Sequence, residues 1–336
     1  MCFDFFSVFL HKLSNSVDKI MKQVRPKKNL GQHFLTDLAI ARRIADTVDE
    51  PYGDLPVLEV GPGMGVMTQY LVQKPRPLKV VEIDRESVAY LKHTLFKEGV
   101  AQEGAAAQDA AAAQDGAAAP SAHSAIIEGD FLRMDLSSVF DGSPFVLTGN
   151  YPYDISSQIF FKMLDNRNLI PCCTGMIQHE VAVRMASQPG TKQYGILSVL
   201  VQAWYDVEYL FTVPPTVFNP PPKVQSAVIR MTRNRVEHLG CDEQLFRRVV
   251  KTVFNQRRKM LRVSLRQLLS AEALAMLSAS LEVQVTPSDS HAEPPVALSL
   301  TQRPEQLSIP QFVELTNQVE KVLFAGTSAV CASTTT

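Results

Sequence analysis

Gly149-Asn150-Tyr151-Pro152-Tyr153 closes the apolar run Phe145-Val146-Leu147-Thr148. An amide, a Pro-stiffened backbone and a flanking ring are the parts needed to hold a flat, amine-bearing base. The Asn150 amide oxygen can accept one hydrogen of an exocyclic amine. The residue before a proline is held extended, so the Tyr151 carbonyl, stiffened by Pro152, is free to accept the other. Two acceptors draw the amine nitrogen out of conjugation and aim its lone pair at an electrophile. This is catalysis by positioning and electrostatics rather than by a strong base. Tyr153 and Phe218 can sandwich the base, each stack contributing roughly 1–3 kcal/mol. Taken singly, the motif also reads as a polar turn after a strand, and Phe218 as an ordinary buried ring.

A second group of residues suits a nucleoside ligand. Gly61-Pro62-Gly63-Met64-Gly65 follows the apolar stretch Val57-Leu58-Glu59-Val60, and glycines there let backbone approach a ligand without side-chain interference. Glu82 lies at the end of the next apolar stretch, twenty-one residues after Gly61, where an acid accepts from ribose hydroxyls. Asp130 ends a third such stretch and is a candidate acceptor for an adenine amino group. A dinucleotide and S-adenosylmethionine both remain open at this point. The dinucleotide fingerprint wants its third glycine one residue later. H-E-x-x-H, G-x-S-x-G and the Walker loop are absent, and no metal site is expected.

These residues need a frame, and the surrounding pattern supplies one. A helix is expected over 37–48 with Asp37 as N-cap, a strand over 57–60, a helix over 64–72, a strand over 79–84 and a helix over 85–98. Strand, Gly-rich turn, helix, and strand with an acidic end form half of a doubly wound α/β domain. Further strands are expected at 124–130, 145–149 and 174–178, with helices near 155–164 and 180–187. The segments 196–213 and 224–231 read as late strands. The loop between them has five prolines in nine residues from Pro214 to Pro222, too many for helix or strand. Beyond Arg235 the pattern becomes helical, at 242–254, 257–269 and 309–324, with a loop over 282–298. The Ala-rich stretch 101–122 cannot bury a core and reads as a surface insertion. The expected organisation is an extension over 1–24, an α/β domain over 25–235, a small all-helical domain over 236–325, and a tail over 326–336.

The 336 residues carry a net charge of only -1, but the charge is unevenly spread. Between Lys223 and Arg266 stand twelve Lys/Arg against three acids, and Lys19–Lys28 is a second basic cluster. Lys223, Arg247, Arg248, Lys251, Arg257, Arg258, Lys259 and Arg262 are therefore candidate phosphate contacts. Five cysteines without a C-x-x-C pair suit a reducing cytoplasm, without disulfides or structural zinc. No apolar run reaches the length of a membrane span. Residues 5–10 are apolar but lack a basic n-region and a cleavage site, so the first stretch is expected to be an extension or to precede a start at Met21, not a leader.

Read together, several segments resemble the motif series of the ribosomal RNA adenine dimethyltransferases, on the small-subunit (16S) side of that family. They are Asn29-Leu30-Gly31-Gln32-His33-Phe34-Leu35, Glu59-Val60-Gly61-Pro62-Gly63, Glu82-Ile83-Asp84, Gly129-Asp130, Gly149-Asn150-Tyr151-Pro152-Tyr153 and Val217-Phe218-Asn219-Pro220-Pro221-Pro222-Lys223-Val224. The resemblance runs from about Arg25 to Phe324. It implies a Rossmann-like S-adenosylmethionine-dependent methyltransferase domain followed by a small helical RNA-binding domain. The implied reaction puts two methyl groups on N6 of each of two adjacent adenosines near the 3′ end of 16S rRNA, in a pre-small-subunit particle, by a monomer without metal or membrane contact. Carried over position by position, cofactor contacts fall on His33, Leu35, Gly61, Gly63, Glu82, Asp130 and Asn150, and Tyr153 and Phe218 hold the target base. The family often has Leu or Ile at Tyr151 and Asn at His33; the backbone carbonyl and a polar group survive both changes. Rival expectations are a 23S rRNA or DNA adenine-N6 methyltransferase, a ribosome-assembly factor acting mainly by binding, and a dinucleotide oxidoreductase.

Overall fold

The computed structural model describes Lys27 and residues 33–96, 124–283 and 298–332. The expected extension 1–24, the insertion 101–122, nearly all of the 282–298 loop and most of the Lys19–Lys28 cluster lie outside these residues. Along the chain come β1 (Phe34–Leu35), α1 (Leu38–Asp46), β2 (Val57–Val60), α2 (Thr68–Leu71), β3 (Leu78–Glu82), α3 (Arg85–Thr94), β4 (Ala125–Glu128), β5 (Val146–Thr148), α4 (Ser156–Asp165), β6 (Cys172–Gln178), α5 (His179–Ala186), α6 (Ile196–Gln202), β7 (Tyr205–Val213), β8 (Phe218–Asn219), β9 (Ser226–Arg233), α7 (Glu243–Asn255), α8 (Leu261–Ser264), α9 (Ala271–Val283) and α10 (Ile309–Ala332).

Seven strands form one sheet in the order β4-β3-β2-β5-β6-β9-β7. β4 to β6 run parallel, and β9 pairs antiparallel with β6. Strand order reverses at β2, whose neighbours are β3 and β5, and in such sheets ligands bind beyond the carboxyl ends at that point. β2 is buried at every position, as a central parallel strand must be when helices cover both faces. Asp37 and Asp84 cap α1 and α3, accepting from the Ile40 and Glu86 N–H groups.

The described residues divide into two compact units. One holds those up to His179 together with Tyr209–Thr232; the other holds Glu180–Glu208 and those from Arg233 onward. These limits differ from the expected break near 236, because α6 belongs with the helical unit. Leu197 to Val201 are all buried there, and α6 packs on α7. Trp204 meets Phe246 edge-on at 6.0 Å, and Phe254 stacks on Phe312 at 5.8 Å.

Four further expectations need correction. Ile196–Gln202 is helix, not strand; a wholly buried apolar run has no period by which to tell the two apart. The expected 64–72 helix shrinks to Thr68–Leu71, since Gly65 has φ +75, a value no α-helix contains. The expected 257–269 helix is only α8 and a 3₁₀ turn over Leu265–Gln267, so Arg257, Arg258 and Lys259 sit in a turn. The proline loop holds a 3₁₀ turn (Pro215–Val217) and β8, which pairs antiparallel with β1. In addition, α9 fills a stretch given no element, and α10 runs on to Ala332, into the expected tail.

Candidate active site

β2, β3, β4 and β5 each end at one cavity of about 270 Å³, which lies within the α/β unit. His33, Leu35, Gly61, Gly63, Glu82, Asp130, Asn150, Tyr151, Pro152 and Tyr153 all line it. Residues more than 100 positions apart thus meet because their strands are sheet neighbours.

The Gly-rich turn leaves β2 with positive φ at Gly61, Gly63 and Gly65 (+67°, +56° and +75°), a backbone that a side chain would strain. The turn is tied to β3: the Gly63 N–H donates to Glu82 Oε2 at 2.9 Å, and the Ile83 and Asp84 N–H groups donate to Oε1. Burial pushes the Glu82 carboxyl up, and the three backbone N–H groups pull it back. Oε2 accepts only one of them, so it keeps capacity for a ligand hydroxyl. Beside it the Ile83 side chain is 53% exposed, a flat apolar wall at the cavity. On β4's far end Asp130 Oδ1 accepts from the Leu132 N–H at 2.9 Å, and Oδ2 lies 3.4 Å from Arg133 Nε.

The Asn150 segment is laced to β6. The Met176 N–H donates to the Gly149 carbonyl at 2.9 Å, and the Tyr151 N–H to the Met176 carbonyl at 3.0 Å. The Tyr151 ring points into the core, 1% exposed, where its hydroxyl donates to the Thr174 carbonyl at 3.0 Å. Asn150 Nδ2 donates to the His33 carbonyl at 3.4 Å, which leaves the amide oxygen as the end turned to other partners. Among the described residues no hydrogen bond ends on Asn150 Oδ1 or on the Tyr151 carbonyl. Tyr153 is held by its hydroxyl to the buried Ser226 at 2.5 Å.

Phe218 does not line the cavity. It is 4% exposed and packs in the core with Leu35, on β8 beside β1. The ring that faces Tyr153 is His33, stacked at 5.7 Å and 29°. Its Nδ1 lies 2.8 Å from the Pro220 carbonyl, so Nδ1 carries the hydrogen.

Glu59 is a functional candidate the spacing did not single out. It lines the cavity from the middle of β2, 1% exposed, and its Oε2 has no hydrogen-bond partner among the described residues. Burial pushes its carboxyl up to about 8, and the charge of Glu82 adds to the rise. A lone acid in an otherwise apolar strand, two residues before the glycine turn, was the available signal.

The basic candidates fall elsewhere. α7 buries Phe246, Val249, Val250, Val253 and Phe254 and turns Arg248 and Lys251 outward. Arg258, Lys259, Arg262 and Lys223 are exposed and Arg247 is half-buried. Arg257 is committed within its own unit, donating to the Thr191 carbonyl at 3.1 Å and lying 3.8 Å from Glu305. From the N-terminal cluster, Lys27 is paired with Asp84 and Glu86 at 2.5 and 3.1 Å. Among the described residues no helix is long and apolar enough to cross a membrane, and no group of three His, Cys, Asp or Glu can hold a metal ion.

The cavity fits S-adenosylmethionine in its donor set: an open backbone turn, a ribose-accepting carboxylate, an apolar wall for a base, and a buried acid with one unpaired oxygen. The ribosomal RNA adenine dimethylase family profile matches residues 23–300. The ribosomal RNA small subunit methyltransferase A of Bacteroides fragilis is 57% identical over 303 residues, covering 90% of this chain and 95% of that protein. The protein of the same name from Bacteroides thetaiotaomicron is 56% identical over 309 residues, 92% of this chain and 99% of its own. Among solved structures, a dimethyladenosine transferase from Plasmodium falciparum superposes with a TM-score of 0.63 at 22% identity, over 86% of this chain and 98% of that one. The 23S rRNA methyltransferase ErmE gives 0.53 at 24% identity, over 85% and 99%. At such identities the two structures speak for the fold.

Proposed function

The chain belongs to the ribosomal RNA adenine dimethylase family, and on that premise we propose that it dimethylates N6 of two adjacent adenosines near the 3′ end of 16S rRNA during small-subunit assembly in the cytoplasm. The carrying observation is the pair of open acceptors, Asn150 Oδ1 and the Tyr151 carbonyl, at the same cavity as the Gly61–Gly65 turn and Glu82. S-adenosylmethionine supplies an electrophilic methyl group when bound. Gly61, Gly63, Glu82, Asp130 and Leu35 would hold it, Glu82 as the acceptor for its ribose hydroxyls.

The chain's own contribution to the chemistry is orientation. Asn150 Oδ1 and the Tyr151 carbonyl each accept one hydrogen of the target amine, turning the nitrogen lone pair toward the cofactor end of the cavity. Pro152 stiffens that backbone, and pairing to Met176 on β6 fixes its height. Tyr153 offers its face to the base, with His33 as the neighbouring ring. Since the acceptors are neutral, positive charge developing on the nitrogen meets two oriented dipoles. The helical unit supplies phosphate contacts through Arg248, Lys251, Arg258, Lys259 and Arg262, as structured RNA requires.

Asn150→Ala tests this. Methylation of 16S rRNA in immature small subunits should fall on the order of 10²–10³ in kcat, the scale of one lost polar contact to a developing charge. RNA affinity should be nearly unchanged. Normal methylation by the variant removes the assigned role. Mass spectrometry of 16S rRNA from a deletion strain tests the substrate: dimethyladenosine retained at the expected pair refutes it.

A further inference from the structure

Asp130, Phe131 and Leu132 line the cavity from the turn that follows β4. Among the described residues β4 is the edge strand and pairs only with β3, so the described sheet supports that turn from one side. The turn is closed internally by Asp130, whose carbonyl accepts from the Arg133 and Met134 N–H groups at 3.0 and 3.2 Å and whose Oδ1 accepts from the Leu132 N–H. Two more of its carbonyls, those of Leu132 and Met134, receive the ammonium of Lys162, at 3.0 and 2.5 Å. Lys162 Nζ also lies 5.6 Å over the Phe131 ring. The lysine stands in the last turn of α4, the helix that begins just after the Asn150–Tyr153 segment. One side chain therefore clamps the cofactor-facing turn of the edge strand to the helix that follows the catalytic segment.

We propose that Lys162 is a positioning residue for S-adenosylmethionine: its ammonium, bonded to the Leu132 and Met134 carbonyls, fixes the Asp130–Leu132 turn in the form that receives the cofactor. The proposal rests on reading this cavity as the cofactor site. Without the ammonium two carbonyls lose their charged donor, and the turn must be ordered when ligand binds, which weakens binding. The methyl-transfer geometry at Asn150 is untouched, so the effect belongs in cofactor affinity and not in turnover.

The test is calorimetric titration of S-adenosylmethionine into the full chain, without RNA, for the wild type, Lys162→Met and Lys162→Arg. Lys162→Met should raise the Kd about tenfold, and Lys162→Arg, which keeps a cation with forked donors, should stay within about threefold of wild type. At saturating cofactor, kcat for Lys162→Met should stay within about twofold, the reverse of the Asn150→Ala pattern. A wild-type Kd in folded Lys162→Met overturns the proposal, as does an equal loss in both variants. Should Lys162→Met not fold, Lys162→Gln decides by the same titration. A wild type that binds no S-adenosylmethionine overturns the cofactor reading itself; a wild type that binds it, with variants that bind equally well, overturns only the role of Lys162.

Discussion

Glu59 is the acid in the otherwise apolar Val57–Val60 strand, and its surroundings decide its charge. Buried at the centre of the sheet, its carboxyl is raised from 4.5 to about 8, so the neutral form is favoured in the fold. The linkage follows from that direction. The folded state holds the proton more tightly than the unfolded one, so the contribution to stability is fully present below about pH 4.5 and lost as pH rises through about 8. Glu59→Gln keeps the shape and removes the titration. Between about pH 5 and about pH 9 the wild-type urea midpoint should fall further than that of Glu59→Gln. Equal falls would mean that Glu59 is ionised in the fold. Asn150 and Lys162 divide the labour at this scale, one orienting the reacting amine and the other holding a turn that receives the cofactor, and the kcat and Kd readouts separate them.

The turn after α7 illustrates what an element owes to its neighbours. Asn255-Gln256-Arg257-Arg258-Lys259 has no apolar residue, so no side chain can anchor a further helical turn to the core, and isolated short helices do not hold themselves together. The helix stops at Asn255. Arg257 is then drawn into contacts with Thr191 and Glu305, while Arg258 and Lys259 stay exposed. Two cations, not three, are thus available for phosphates from this turn. Neutralising Arg258 and Lys259 together to Gln should flatten the slope of log affinity against log salt by about 1.4–1.8 units. Neutralising Arg257 should instead lower stability with little change in slope. An unchanged slope in the double variant would make these two charges solvent-facing only.

For the molecule as a whole, the α/β unit carries the cavity and the helical unit carries most of the basic face, so cofactor binding and RNA binding should be separable. S-adenosylmethionine at 100 times its Kd should stabilise the folded chain by about 2.7 kcal/mol, with NAD giving no comparable shift in Tm. A larger shift with NAD would favour the oxidoreductase reading. Legibility in the sequence followed range of interaction. The α/β class, strands β2 to β6, the Asp37 cap and most candidates for the site could be read from residue order, because short-range backbone geometry and hydrophobic period set them; Glu59, which also lines the cavity, was not singled out. Helix α6 could not, since uniform burial erases period. Nor could the place of Phe218: whether an aromatic on a proline loop faces the ligand or the core depends on β8 pairing with β1, nearly two hundred residues earlier in the chain. Lys162 was equally silent, a lysine in a helix's last turn until the sheet edge brings two carbonyls to it. Residue types and local spacing were enough to determine the chemistry available to this chain. Only tertiary packing decided which side chains reach the cavity, because that choice depends on the burial of distant partners.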